Sequence, residues 1–123
     1  MKEYKFTDPM VGKCYVIIKD NVLTIKRKGF LSLLKYGFSG EKSIIISSIT
    51  GTQFKPSGLT NGYLQFIIVG SEEQKGSLVE AKIDGDENTI IFHHHKQNAN
   101  AQEIIEYIEN YNARVEARSQ YSK

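Results

Sequence analysis

What the sequence has little of narrows the reading first. It holds a single cysteine, Cys14, so an internal disulfide is excluded and no cysteine-based metal cluster can form. No apolar run approaches the roughly 20 residues that a membrane-spanning helix needs. The opening residues, MKEYKFTDPM, start basic but lack the apolar stretch of a secretory signal. The lone thiol and the missing signal point together to a reducing cytoplasm. Gly29, Gly37 and Gly40 fall between expected strands, not between a strand and a helix, so no phosphate-cradling loop is present.

What remains is an ordinary globular balance, 40% apolar and 24% charged over 123 residues. That is enough for one domain with a real core. Net charge is +2 but uneven. Residues 1–63 hold ten Lys/Arg against four Asp/Glu, a balance of +6, and residues 64–123 hold six against ten, a balance of −4. Such a split marks either a basic binding surface or basic strands facing an acidic helix.

The strongest local pattern comes last. From Asn100 to about Arg118, Ala101, Ile104, Ile105, Ile108, Tyr111 and Val115 recur at steps of three and four, the spacing of one helix face. Glu103, Glu106, Glu109, Asn110, Arg114 and Glu116 lie between them. A helix this short is marginal alone in water, so its apolar stripe needs a partner. Almost everything before it has strand character, and the expected partner is a sheet or barrel.

Gly12 to Lys19 and Val22 to Lys28 form a hairpin across the turn pair Asp20-Asn21. In the second arm Val22, Thr24, Lys26 and Lys28 alternate with Leu23, Ile25 and Arg27, so one face is largely apolar and the other turns basic. Further strands are expected at Glu41 to Ser47, Ile49 to Lys55, Tyr63 to Val69, Leu78 to Ile83 and Thr89 to His93. Short turns join them, which makes the set mostly antiparallel. Residues 1–11 are expected as a loose polar lead-in, 12–118 as the domain and 119–123 as a polar tail.

Particular residues carry a resemblance. They are Gly40-Glu41-Lys42 with Ile44, Ile45 and Ile46, then Ile49 and Lys55, then Gly62-Tyr63-Leu64-Gln65-Phe66 as far as Gly70. The entry Asp86-Glu87-Asn88-Thr89-Ile90-Ile91-Phe92 and the helix from Ala101 to Tyr111 complete the set. In this order the chain resembles the bacterial and phage pleckstrin-homology-like domains of unknown function over about residues 12–113. The resemblance implies a mainly β fold, a seven-stranded antiparallel barrel or pair of orthogonal sheets capped by one C-terminal amphipathic helix. It also implies a scaffold or binding role, and it carries over no site residues. Classical eukaryotic members of the fold bind phosphoinositide headgroups through basic loops near one barrel mouth.

Metal and catalytic constellations fail on spacing. Of His93, His94 and His95, at most two share a strand face, and no cysteine lies near to complete a zinc site. Asp84, Asp86 and Asn88 begin like a calcium loop, but Thr89 stands where glycine is needed and His95 where a bidentate glutamate is needed. Nothing places a base beside Cys14. The expectation is no enzyme, no cofactor and no metal.

The remaining candidate is the stretch around residues 26–42. Phe30, Leu31, Leu33, Leu34, Tyr36 and Phe38 either pack onto the barrel's own flank or form an interface with a protein partner or a second copy. Lys26, Arg27, Lys28, Lys35 and Lys42 around them are the candidate contacts to an anionic membrane, each worth roughly 1 kcal/mol there. Nucleic acid ranks last among the partners, since a basic stretch alone discriminates poorly. The expected function is therefore non-catalytic binding or homo-oligomeric scaffolding, with peripheral membrane binding as the alternative.

Overall fold

The computed structural model describes residues 1–8, 12–28, 41–68 and 87–121. Seven strands fall in this set. Strands β1 (Lys2–Asp8), β2 (Gly12–Lys19), β3 (Val22–Lys28) and β4 (Glu41–Ile45) form one sheet in chain order. Strands β5 (Ile49–Lys55), β6 (Gly62–Ile68) and β7 (Thr89–Phe92) form a second. Every pairing is antiparallel. The helix α1 (Asn98–Tyr121) follows the last strand. The chain is thus mainly β, two antiparallel sheets and one C-terminal helix.

Alternation builds the first sheet. Tyr4 and Phe6 of β1, Cys14, Val16 and Ile18 of β2, Leu23 and Ile25 of β3 and Ile44 of β4 are all buried. The residues between them face outward. Strand β1 corrects the expected loose lead-in: Lys2 to Asp8 pair residue for residue with Ile18 to Gly12. Its Lys, Glu, Thr and Asp content hides the strand, but Tyr4 and Phe6 at a spacing of two supply the inward face, and Phe6 is fully buried. At the β2–β3 turn Asp20 adopts a φ of 54°, a conformation Asp accepts better than most side chains.

The two sheets are linked at two points. On one side Ile46–Ser48 forms a 3₁₀ turn, where β4 is expected to continue, and the Ile46 amide donates to the Asn21 carbonyl at 2.8 Å. On the other, the His93 amide donates to the Thr7 carbonyl at 3.2 Å, tying β7 to β1. Gly62 opens β6 where no side chain fits, since a Cβ would stand 2.5 Å from the Ser57 nitrogen and 2.6 Å from the Lys55 oxygen. The expected strand from Leu78 to Ile83 lies outside the described residues.

Helix α1 presents Ala101, Ile104 and Ile108 to the interior formed by Leu64, Phe66, Ile90, Phe92 and the inner face of the first sheet. Ile105, Tyr107 and Tyr111 pack partly buried against this core. Polar side chains set the helix position. Asn98 grips the Ser57 backbone, accepting from its amide at 2.7 Å and donating to its carbonyl at 2.9 Å. Tyr107 donates to the Asp20 carbonyl at 3.0 Å, and Asn112 to the Ile46 and Ile49 carbonyls at 3.3 and 3.2 Å.

Two expectations change at the far end. Val115 continues the apolar stripe but is 38% exposed, because the helix there has passed beyond the residues that cover Ile104. The helix also runs on through Ser119 to Tyr121, where a polar tail is expected; no glycine or proline interrupts the run from Ala113.

Truncating Ile104 to Ala should therefore cost about 2–5 kcal/mol, read as a lowered urea midpoint. Val115→Ala, on the same stripe, should change stability by no more than about 0.5 kcal/mol.

Candidate functional site

The sequence candidates scatter. Phe30, Leu31, Leu33, Leu34, Lys35, Tyr36 and Phe38 lie outside the described residues. Of the cations, Lys26 is half-buried and Lys28 exposed on the outer side of β3. Lys42 sits on β4 with its Nζ 2.6 Å from Glu87 Oε1, a surface pair that satisfies its charge locally.

Arg27 cannot be a lipid contact. It alternates with Lys26 and Lys28, so it points inward with Leu23 and Ile25 and is only 3% exposed. Its Nη2 donates to the Thr89 carbonyl at 2.7 Å and to the Glu87 carbonyl at 3.1 Å. Residue type suggested a surface cation; the two-residue period buries it as a cross-link from β3 to the start of β7. Asp8 is buried nearby, and both charges act on Cys14. That thiol is pushed up to about 12, chiefly by burial; Arg27 pulls it down and Asp8 adds to the rise. It is a packed core thiol and no nucleophile.

The histidines form a joint between sheets. His93 Nδ1 lies 3.0 Å from the Thr7 carbonyl, which can only accept, so this nitrogen carries the proton. His94 Nδ1 accepts from the Lys96 amide at 3.3 Å, and the His94 and His95 rings stack with centroids 5.4 Å apart. Among the described residues no group of three His, Cys, Asp or Glu is placed to hold a metal ion.

What the fold does assemble is the outer face of the first sheet. Register sets Lys5, Tyr15, Lys26 and Glu41 in one cross-strand row, and Thr7, Lys13 and Lys28 in the next. Successive rows on one face stand about 7 Å apart and neighbouring strands about 4.8 Å. Four lysines therefore ring Tyr15, and Lys28 Nζ lies 5.5 Å from its ring centroid. Counting Lys19 with them, this face carries five lysines against Glu3 and Glu41, a balance of +3. Lys13 and Lys28 stand directly opposite each other, an arrangement that costs stability in an isolated sheet. The alternation in GKCYVIIK held the signal for Lys13 and Tyr15. Lys5 was not readable, because its strand was not.

Along α1 two open clefts are lined by side chains. One, of about 620 Å³, lies between Lys2 and the helix residues Glu103, Glu106, Tyr107, Asn110, Ala113 and Arg114. The other, of about 350 Å³, lies between the Asp20-Asn21 turn and Tyr107, Tyr111, Arg114, Val115 and Arg118. Burial raises the Tyr4 hydroxyl's pKa, with smaller contributions from Glu103 and Tyr107.

These features define a class: an antiparallel two-sheet domain sealed by one helix, with a basic sheet face and open clefts. The chain belongs to the family described as Domain of unknown function (DUF4429), whose model matches residues 18–108. The matched span runs from the end of β2 to Ile108 and includes Lys26 and Lys28 but not Lys5, Lys13 or Tyr15. No curated protein and no solved structure matches the chain significantly.

Replacing Arg27 by Met should destabilise the protein by about 3 kcal/mol, since the buried Thr89 carbonyl and the part-buried Glu87 carbonyl lose a charged donor; Lys28→Ala should stay within about 0.5 kcal/mol. Urea midpoints separate the two. The Cys14 thiol gives a pH dependence. Folded, it keeps its proton up to about 12, whereas the ordinary value is 9.0. Between those values the folded state binds more protons than the unfolded one, so stability must fall as pH rises from 9 toward 12. The slope should reach about 1.4 kcal/mol per pH unit and flatten in Cys14→Ala, measured by urea unfolding across that range.

Proposed function

We propose that this chain is a non-catalytic recognition module of pleckstrin-homology-like architecture. It works in the cytoplasm through protein–protein contacts, contacts between its own copies included. Four strands, then three, then a helix across the interior support the architecture, as do the two links between the sheets. They agree with the bacterial and phage pleckstrin-homology-like resemblance in the sequence. In that architecture the two sheets curve into one barrel and α1 closes an open end.

One observation carries the functional reading: the lysine-ringed face around Tyr15. A core can be buried without placing Lys13 opposite Lys28, and like charges there weaken the sheet. An anionic partner turns that cost into attraction, and a tyrosine among cations supplies the rigid aromatic contact that protein interfaces favour. A catalytic reading has less support. The carboxylates Glu103 and Glu106 are exposed on a helix, three residues apart, and line an open cleft.

A second reading is peripheral binding to an anionic membrane. Lys26 and Lys28 share the open face with Lys5 and Lys13, and the apolar residues 30–38 follow Lys28 directly in sequence. Cations near anionic lipid gain roughly 1 kcal/mol each.

Sedimentation velocity distinguishes the two. Where the protein–protein contacts are between copies of the chain, the purified protein should show a mass above 14.0 kDa that grows with concentration. Raised ionic strength, or the double reversal Lys13→Glu with Lys28→Glu, should return it toward the single chain. A chain that stays at 14.0 kDa and pellets with phosphatidylglycerol vesicles supports the membrane reading instead.

A further inference from the structure

The basic face of the first sheet has a counterpart on the same molecule. Along the outer side of α1, Glu103, Glu106 and Glu109 are exposed over two turns. No Lys or Arg interrupts the helix from Asn98 to Ala113. Two cations do lie close by, and both rest on aromatic rings. Lys2 Nζ is 5.8 Å from the Tyr107 centroid, and the Arg114 guanidinium carbon is 6.0 Å from that of Tyr111. Neither forms an ion pair with Glu103 or Glu106 among the described residues. Among the described residues, Glu103 and Glu106 thus line the 620 Å³ cleft beside Lys2 and Arg114 without an ion pair to either, and Glu109 adds a third exposed carboxylate on the same side.

We propose that the lysine-ringed sheet face is an interface whose occupant is a second copy of this chain, seated by the outer side of its α1. The proposal rests on the recognition role argued above and names the partner. Charge complementarity carries it. The sheet face is net positive around Lys5, Lys13, Lys26 and Lys28, and the first half of the helix is net negative. The dimensions agree: lysine rows about 7 Å apart face glutamates that climb about 9 Å from residue 103 to residue 109. Ala113, exposed one turn beyond Glu109 on the helix surface, leaves room for the Tyr15 ring to approach.

Sheet and helix are different patches, so the contact is heterologous. Each copy offers its sheet to one neighbour and its helix to another, which yields rings or open chains rather than an isolated dimer. The face spans only about 20 Å by 20 Å, at the small end of specific interfaces. A single contact is weak and salt-sensitive.

Charge swapping tests this on the full chain. Two variants are prepared, Lys13→Glu with Lys28→Glu, and Glu103→Lys with Glu106→Lys, with folding checked by circular dichroism. Each alone should associate roughly tenfold more weakly than the native chain or worse, because like charges then meet across the contact. Mixing the two should restore association, since each variant's altered patch then faces its complement. If the glutamate variant self-associates like the native chain while the lysine variant does not, the recognition face stands and its proposed occupant is wrong. If the native chain is a single species at every concentration, the self-association proposal falls while recognition of a different protein stands; if its lysines act only on phosphatidylglycerol vesicles, the protein–protein reading falls as well.

Discussion

The two-residue period of the first sheet is the constraint on which the rest depends. Once Val16, Ile18, Leu23 and Ile25 are committed to the interior, every residue between them is committed to the outside. A slip of one residue would bury Lys13, Lys26 and Lys28 and expose the core. The hydrophobic gain that selects the register therefore also gathers the lysines. Lysine face and core are two readings of one alternation.

Arg27 shows how strictly the period rules. It is a cation on the inward side, and the fold keeps it there by giving its guanidinium the carbonyls of Thr89 and Glu87. A buried charge is tolerated only when its donors are used. The contact ties the end of β3 to the start of β7, so the two sheets are held near Asp8 and Cys14 by polar bonds. At the helix the same task falls to the apolar side chains of Ala101, Ile104 and Ile108. One interior thus has a polar and an apolar seal.

Much of the architecture was legible in the sequence because its signals are local. The helix stripe from Ala101 to Tyr111, the Asp20-Asn21 turn and the alternation in β2 and β3 each lie within a few residues. What escaped depends on distant parts. Val115 obeys the helical spacing as well as Ile108 does, and nothing in the helix says where its cover ends. Strand β1 is polar by composition and becomes a strand because β2 offers it an edge to pair with. The lysine face needed the register among β1, β2 and β3, which no single segment contains. The helix glutamates fall between the apolar positions of the stripe, and no neighbouring residue in the sequence relates them to that sheet face.

The pairing of Lys26 with Glu41 has an evolutionary corollary. Adjacent strands hold both ends of the intervening segment at fixed neighbouring positions, so the frame fixes where residues 29–40 depart and return and leaves their number open. Loop-closure entropy grows only with the logarithm of length, about 0.6 kcal/mol per doubling. A change in the length of this segment therefore costs the sheet and helix little. The position is a natural port for diversification and for grafting foreign peptides.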